Sequence, residues 1–127
     1  MAKNILIVED DAFLIELLSK KFTSEGFKVF EAMNGKEGLE KTREIKPDLV
    51  LLDLLLPDVN GLDIDGFKVL SGIKEDSSTS AIPVIILSNL GQQEEIERGL
   101  KLGATDYLIK SQFTSDEIIK KVKKILP

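Results

Sequence analysis

The sequence predicts an α/β fold of the doubly wound, flavodoxin-like (βα)5 type, in which five parallel strands alternate with five helices. Short apolar runs and amphipathic segments alternate along the whole chain. Most of these runs lack the polar alternation of a half-exposed strand, which is typical of strands covered on both faces. Right-handed crossovers then place helices on both faces of one sheet. The 127 residues suffice for one core, so we expect a single domain over residues 1–127.

The strand predictions rest on runs that are rich in Ile, Val and Leu. These runs are too short to be helices, and they fit the buried strands of a parallel sheet. They are Ile5–Val8, Val29–Ala32, Leu49–Leu52, Val84–Leu87 and Tyr107–Ile109.

The helices fill the gaps between these runs. We predict them over about residues 11–25, 35–45, 66–74 and 92–102, with a last helix from 114. Asn34 is the expected N-cap of the second helix, and Thr114 opens a capping box at the fifth. The fourth helix has a thin apolar stripe of Ile96 and Leu100, and Gly99 in its interior costs about 1 kcal/mol relative to Ala. We therefore expect this helix to move most easily.

Composition excludes several classes of function. The chain has no Cys and no His, so disulfides, thiolate or imidazole metal sites and histidine catalysis are ruled out. Oxygen ligands remain, and they favour Mg²⁺ or another hard cation. The net charge of −5 disfavours direct binding to nucleic acid. No apolar run could span a bilayer and no signal-peptide layout is present, so we expect a cytoplasmic protein without membrane contact.

Acidic residues directly follow two of the predicted strands and indicate a functional pocket. Asp53 stands within the apolar stretch 49–56, and Glu9, Asp10 and Asp11 follow the first strand. A carboxylate among apolar residues is costly unless another group holds it. Sites of doubly wound sheets lie beyond the carboxyl ends of the strands, so these acids share one crevice if strands one and three are neighbours. Asp11 is also well placed to cap the first helix.

Motifs at the predicted strand ends resemble the receiver domain of two-component response regulators, the CheY-like domain. The matching stretches are ILIVEDD at 5–11, LVLLDLLLPDVNG at 49–61, PVIILS at 83–88 and GATDYLIK at 103–110. The resemblance covers essentially the whole chain and implies the strand order 2-1-3-4-5. It further implies a phosphorylation-dependent switch in a histidine–aspartate phosphorelay. Such a protein is a regulatory phosphoacceptor that catalyses its own phosphotransfer and dephosphorylation, and is not an enzyme in the ordinary sense.

The resemblance assigns the acidic residues to phosphoryl and metal chemistry. Asp53 would be the phosphoacceptor. Glu9, Asp10 and Asp53 would hold Mg²⁺, together with the backbone carbonyl of Leu55. Clustered carboxylates repel one another unless a cation intervenes, which agrees with this assignment.

Three further residues acquire roles through the same resemblance. Lys110 and Ser88 would contact phosphoryl oxygens, and Ser88 and Tyr107 would be the switch residues. The phosphoryl donor would be a histidine kinase or a histidine phosphotransfer protein. An unknown downstream protein would bind the face formed by the fourth helix, fifth strand and fifth helix. Lysines at 120, 121, 123 and 124 on the last helix form either a solvated face or a contact for an acidic partner.

Some features depart from the family pattern. Ser111 follows Lys110 where Pro, with a cis bond, is usual. Asn89 follows Ser88 where a small residue is usual. The loop over 57–66 holds about five extra residues, and its acidic part, 58–65, fails the spacing of a Ca²⁺-binding loop.

Other interpretations stay open. A pseudo-receiver that is never phosphorylated would act only by binding proteins, although the intact acidic cluster argues against it. The chain is expected to be a stand-alone receiver, and the alternative is a piece of a longer regulator. Other chemistries on such a sheet fit less well. A P-loop is missing, Leu55 stands where a haloacid-type phosphatase needs a second Asp, and the acids at 9–11 would repel the phosphate of a flavin.

Overall fold

The computed structural model describes residues 2–127 and contains one parallel sheet with helices on both faces. The strands are β1 (Asn4–Val8), β2 (Lys28–Ala32), β3 (Leu49–Leu52), β4 (Val84–Ser88) and β5 (Asp106–Ile109). The helices are α1 (Ala12–Ser24), α2 (Gly35–Ile45), α3 (Gly66–Glu75), α4 (Gln93–Lys101) and α5 (Ser115–Ile125). All strand pairs are parallel, in the order β2-β1-β3-β4-β5, so the predicted fold and strand order are confirmed.

The strand register brings the predicted acidic residues together. β1 and β3 are neighbours, and Val8 pairs with Leu52 as the last step of their register. The backbone N–H of Asp53 continues the ladder by donating to the Val8 carbonyl at 3.0 Å. Glu9 and Asp53 therefore leave the sheet side by side, at the edge where parallel strands end.

Two apolar cores cover the faces of the sheet and hold this edge in place. On one face, alternate residues of the central strands pack with Leu18 and Phe22 of α1 and with Ile118 and Val122 of α5. On the other face, the remaining strand residues pack with α3, including Leu70. Burial on both faces is the reason why the strands read as unbroken apolar runs.

Side-chain caps set the starts of α1, α2, α3 and α5. The Oδ1 of Asn34 accepts from the Glu37 N–H at 2.9 Å. At α5, the Thr114 hydroxyl accepts from the Glu117 N–H at 3.2 Å, and the Glu117 carboxylate accepts from the Thr114 N–H at 2.9 Å. Both predicted caps are confirmed. Asp11 caps α1, because its Oδ1 accepts from the backbone N–H groups of residues 13 and 14.

Helix α4 meets the sheet through its glycine. A Cβ atom on Gly99 would lie 2.5 Å from the Cδ1 of Ile86 and 3.2 Å from the Cδ2 of Tyr107. Glycine therefore permits an approach that any side chain would allow only if the end of Ile86 moved. Leu100, which the sequence placed with Ile96 on a thin apolar stripe, is 46% exposed. Helical periodicity put Leu100 beside Ile96, but the buried face of α4 is centred on Gly99.

Part of the loop between β3 and α3 forms a small hairpin just before the extra residues, which the sequence placed at 62–66. An isolated antiparallel bridge joins Val59 to Leu62. Asn60 and Gly61 between them have φ values of 52° and 78°, which is the pattern of a two-residue turn of the I′ type. The loop is thus folded on itself over residues 59–62, in the segment that follows Asp53.

A short 3₁₀ turn over Lys110–Gln112 follows β5 and was not predicted from the sequence. Within residues 2–127, none of the helices combines the length and the apolar character needed to cross a bilayer.

Candidate functional site

Four charged side chains meet beyond the carboxyl ends of β1, β3 and β5. One carboxylate oxygen each from Glu9, Asp10 and Asp53 can be chosen so that all three lie within 4.8 Å of one another. The Nζ of Lys110 lies 2.5 Å from the Oε1 of Glu9 and 3.0 Å from the Oδ2 of Asp53. The structure thus brings together all four charged residues that the sequence placed in one pocket.

The pocket has a buried floor and an open side. Glu9 and Asp53 are only 3% and 4% exposed, whereas Asp10 faces solvent. The side chain of Lys110 is 18% exposed and lies between the two buried acids. A charged ligand could therefore reach Asp53 from the side of Asp10 without displacing the core.

Backbone amides orient the two buried carboxylates. The Oε2 of Glu9 accepts from the N–H groups of Asp10 and Asp11, at 3.0 and 3.1 Å. The Oδ1 of Asp53 accepts from the Leu55 N–H at 3.2 Å. Each buried acid therefore has one oxygen held by the backbone and the other held by Lys110. Among the residues described, no buried side-chain polar atom lacks a hydrogen-bond partner.

Burial and charge shift the pKa values of this group in a coupled way. Burial raises the pKa of Glu9 from 4.5 to about 7; the hydrogen bond from Lys110 opposes this shift and the negative charge of Asp53 adds to it. Burial by itself would lower the pKa of Lys110, but its hydrogen bonds with Glu9 and Asp53 outweigh that effect, and the pKa is raised. Lys110 therefore stays a cation at neutral pH, while Glu9 can still bind a proton there.

The donor set fits a small divalent cation. Three carboxylates and one ammonium give a formal charge of −3 + 1 = −2, which one divalent ion would balance. Carboxylate oxygens are the ligands that Mg²⁺ prefers, and the exposed Asp10 leaves room for the waters that this ion retains. The backbone N–H of Leu55 donates to Asp53, which places the Leu55 backbone next to this carboxylate. The predicted role of the Leu55 carbonyl as a metal ligand stays a prediction.

Gly66 permits the first turn of α3 to approach Asp53. A Cβ atom on Gly66 would lie 2.3 Å from the Asp53 carbonyl oxygen and 2.5 Å from the Cα of Leu54. The Gly66 N–H donates to the Leu54 carbonyl at 3.1 Å. This glycine therefore helps to hold the segment that carries the central acid. The sequence pointed to Gly66 as the start of a helix and, with Gly61, as one of two candidates for the glycine that the family pattern expects.

The two predicted switch residues meet at Leu90 and do not contact the acids directly. Ser88 is fully buried at the end of β4, and its hydroxyl accepts from the Leu90 N–H at 3.4 Å. The Tyr107 hydroxyl donates to the Leu90 carbonyl. Burial raises the pKa of Tyr107 to about 12, with the charges of Glu95 and Asp53 adding to the shift, so the hydroxyl remains a donor.

Asn89 makes a contact that sequence reasoning did not identify. Its Oδ1 accepts from the Ser111 N–H at 3.2 Å. The peptide bond between Lys110 and Ser111 is trans, as are all peptide bonds of the described residues. Asn89 and Ser111, which both depart from the family pattern, are thus joined by a hydrogen bond. Only their shared departure could have suggested this pairing in advance.

Comparison with known proteins identifies the family. The model for the response regulator receiver domain matches residues 5–123. The chain is 35% identical over 126 residues to the chemotaxis protein CheY of Thermotoga maritima, and the match covers 98% of both chains. It is 43% identical over 122 residues to a Salmonella typhimurium protein named "Probable transcriptional regulatory protein SilR". That match covers 96% of this chain and 50% of SilR, so the chain spans about half the length of this relative.

Solved structures give the same result. A CheY-like response regulator receiver domain protein from Methanospirillum hungatei superposes with a TM-score of 0.87 at 26% identity, covering 98% of this chain and 93% of the other. The BeF3-activated receiver domain of Klebsiella pneumoniae RstA superposes with a TM-score of 0.84 at 25% identity, covering 97% of each chain.

Proposed function

The chain belongs to the response regulator receiver domain family, whose general function is that of a phosphoacceptor switch, and we propose that Asp53 is its phosphoacceptor. One observation supports this assignment above the others. Asp53 is a buried carboxylate held between Lys110 and a backbone N–H, within ligand distance of two further acids. Burying a carboxylate costs free energy even when it is paired, so its retention in this position favours a functional role.

In the proposed reaction, a carboxylate oxygen of Asp53 attacks the phosphorus of the donor. The new P–O bond forms as the bond from phosphorus to the donor atom breaks, and the electron pair leaves with the donor. In a histidine–aspartate relay, that atom would be a nitrogen of phosphohistidine. The phosphohistidine would belong to a partner protein, because this chain has no His. Lys110 already contacts Asp53, so its ammonium can move to a phosphoryl oxygen as charge develops there.

Glu9, Asp10 and Asp53 would hold Mg²⁺, and the Leu55 carbonyl would be a further ligand. When bound, the ion would offset the negative charge of the phosphoryl oxygens and of the carboxylates themselves. Glu9 would contribute mainly through its charge and through orienting its neighbours, because its Oε2 is already held by two backbone amides. Asp10 is exposed, so its carboxylate is the more accessible of the two, and it would be the direct ligand.

The switch would act through the segment between β4 and α4. A phosphoryl group adds roughly −1.5 to −2 charges beside Ser88 and Lys110. If the Ser88 hydroxyl turned to a phosphoryl oxygen, it would release the Leu90 N–H that it now holds. Tyr107 is bonded to the same residue through the Leu90 carbonyl, so this change would reach β5 and α4. Phosphorylation would thus bias a two-state surface.

Partner binding is proposed at two places. A histidine kinase or a phosphotransfer protein would deliver the phosphoryl group at the open, Asp10 side of the pocket. A downstream protein would bind the face of α4, β5 and α5. On α5, Lys121 and Lys123 form ion pairs with Asp106 and Glu25, at 3.9 and 2.9 Å. Part of the lysine-rich face is therefore engaged within the chain. We further propose that residues 1–127 act as one receiver domain in the cytoplasm.

Exposure to acetyl phosphate and Mg²⁺, followed by intact-mass measurement, tests this function. We expect one phosphoryl group on the wild type, none on Asp53→Asn, and a much smaller yield in EDTA. Asp116→Asn removes an exposed carboxylate on α5 and should be labelled like the wild type. An unlabelled wild type would oppose the proposal and favour a receiver fold that acts only by binding proteins. Equal labelling of Asp53→Asn would place the phosphoacceptor elsewhere.

A further inference from the structure

Asn89 connects the two loops that carry the proposed phosphoryl-contacting side chains. It directly follows Ser88, the last residue of β4, and its Oδ1 accepts from the N–H of Ser111, which directly follows Lys110. The backbone register of β4 and β5 ends where Ser88 pairs with Ile109. The contact of Asn89 with Ser111 extends that pairing by a further step, with a side-chain oxygen in place of a carbonyl.

The bonded N–H belongs to a segment that needs an acceptor. Ser111 lies in the first part of the 3₁₀ turn over 110–112, where backbone N–H groups have no partner within the turn. The turn itself has one weak internal bond, from the Phe113 N–H to the Lys110 carbonyl at 3.5 Å. Asn89 therefore acts as a cap for this turn. With a proline at 111 there would be no N–H to hold.

We propose that Asn89 is a positioning residue for Lys110, acting through the Ser111 N–H; this inference rests on the proposed function of Asp53 and Lys110. The Nζ of Lys110 contacts both Glu9 and Asp53, so the angle at which β5 ends decides where this cation lies. Asn89 ties that end to β4. Loss of the tie leaves the Lys110 backbone held only by β5 and by the weak turn.

A double-mutant cycle separates this role from a simple effect of Asn89 on access to the pocket. Asn89→Leu keeps the branched shape and the number of heavy atoms of the side chain and removes the acceptor. Ser111→Pro removes the N–H, and Ser111→Ala keeps it as the matched background. We measure initial rates of labelling by acetyl phosphate with Mg²⁺. Asn89→Leu should slow labelling about fivefold in the Ser111→Ala background, which is the rate equivalent of one net hydrogen bond. In the Ser111→Pro background it should have no effect.

Amide exchange gives a second measurement that does not depend on labelling or on Ser111→Pro being folded. In the unphosphorylated protein, Asn89→Leu should speed exchange of the Ser111 amide about fivefold, by the same equivalence, relative to amides of the β4–β5 ladder. Unchanged exchange, unchanged labelling rates, or a full slowing that persists with Ser111→Pro would each overturn the inference. An unlabelled wild type would instead refute the proposed function, and the role of Asn89 in the reaction would fall with it.

Discussion

The stability of the metal-free protein should fall as the pH rises from about 5 to about 8. Glu9 is the cause, because burial raises its pKa from 4.5 to about 7 in the folded chain. Between these two values the folded state binds a proton that the unfolded state has released. The free energy of unfolding therefore decreases with pH in this window, and the stabilising proton is fully lost above the folded pKa.

The magnitude follows from the size of the shift. A rise from 4.5 to about 7 corresponds to about 3 kcal/mol at 25 °C. The opposing contact with Lys110 is already contained in this shift. Other shifted carboxyls act in the opposite direction: the pKa values of Asp76, Asp116 and Glu117 are lowered. The stability that these three groups contribute is present above the pKa values of the unfolded chain and is lost only in acid. Their titration therefore lies below the window of Glu9.

Urea unfolding followed by circular dichroism, at several pH values in EDTA, measures this effect. Glu9→Gln should abolish the fall, whereas Glu16→Gln, a change at an exposed residue of α1, should leave it intact. Mg²⁺ should stabilise the wild type more at about pH 8 than at about pH 5, since its binding competes with the proton. A stability that is level or rises between about pH 5 and about pH 8 in EDTA, for the wild type, would refute the reasoning.

Three further changes test the site and its support by the same unfolding assay. Lys110→Met leaves two buried carboxylates without their cation and should cost about 2–4 kcal/mol at about pH 8 in EDTA, and less with Mg²⁺; an equally stable variant would contradict the charge balance. Gly99→Ala should cost about 1–3 kcal/mol through its clash with Ile86, although alanine favours helices; a gain in stability would contradict the close packing of α4. Thr114→Ala should lower the free energy of unfolding by about 1 kcal/mol, whereas Thr114→Ser keeps the capping hydroxyl and should change it little. Equal stability of the two variants would contradict the role of the capping box.

The main features of the fold could be predicted because the central strands are buried on both faces. That burial produces unbroken apolar runs such as 5–8 and 49–52, and each run ends close to where its strand ends. Caps at Asn34 and Thr114 are local patterns, so they too could be recognised from neighbouring residues alone. The shared pocket of Glu9, Asp10 and Asp53 followed from one topological step, the pairing of β1 with β3.

The remaining features depend on contacts between distant residues. Periodicity placed Leu100 with Ile96 on an apolar stripe, but α4 approaches Ile86 through Gly99, which has no side chain. The bond between Asn89 and Ser111 joins residues 22 positions apart, and nothing in either segment alone indicates it. The amides that hold Glu9 are a local exception: they belong to the next two residues and reach its carboxylate because the chain turns there from β1 into α1.

The most direct test of the central claim locates the phosphoryl group on the chain. The protein is treated with acetyl phosphate and Mg²⁺, reduced with borohydride, which converts an aspartyl phosphate to homoserine, and analysed by peptide mass spectrometry. We predict homoserine at position 53 and unaltered aspartate at positions 10 and 11. Homoserine at another position, or none in a protein that has been shown to be folded, would contradict the account.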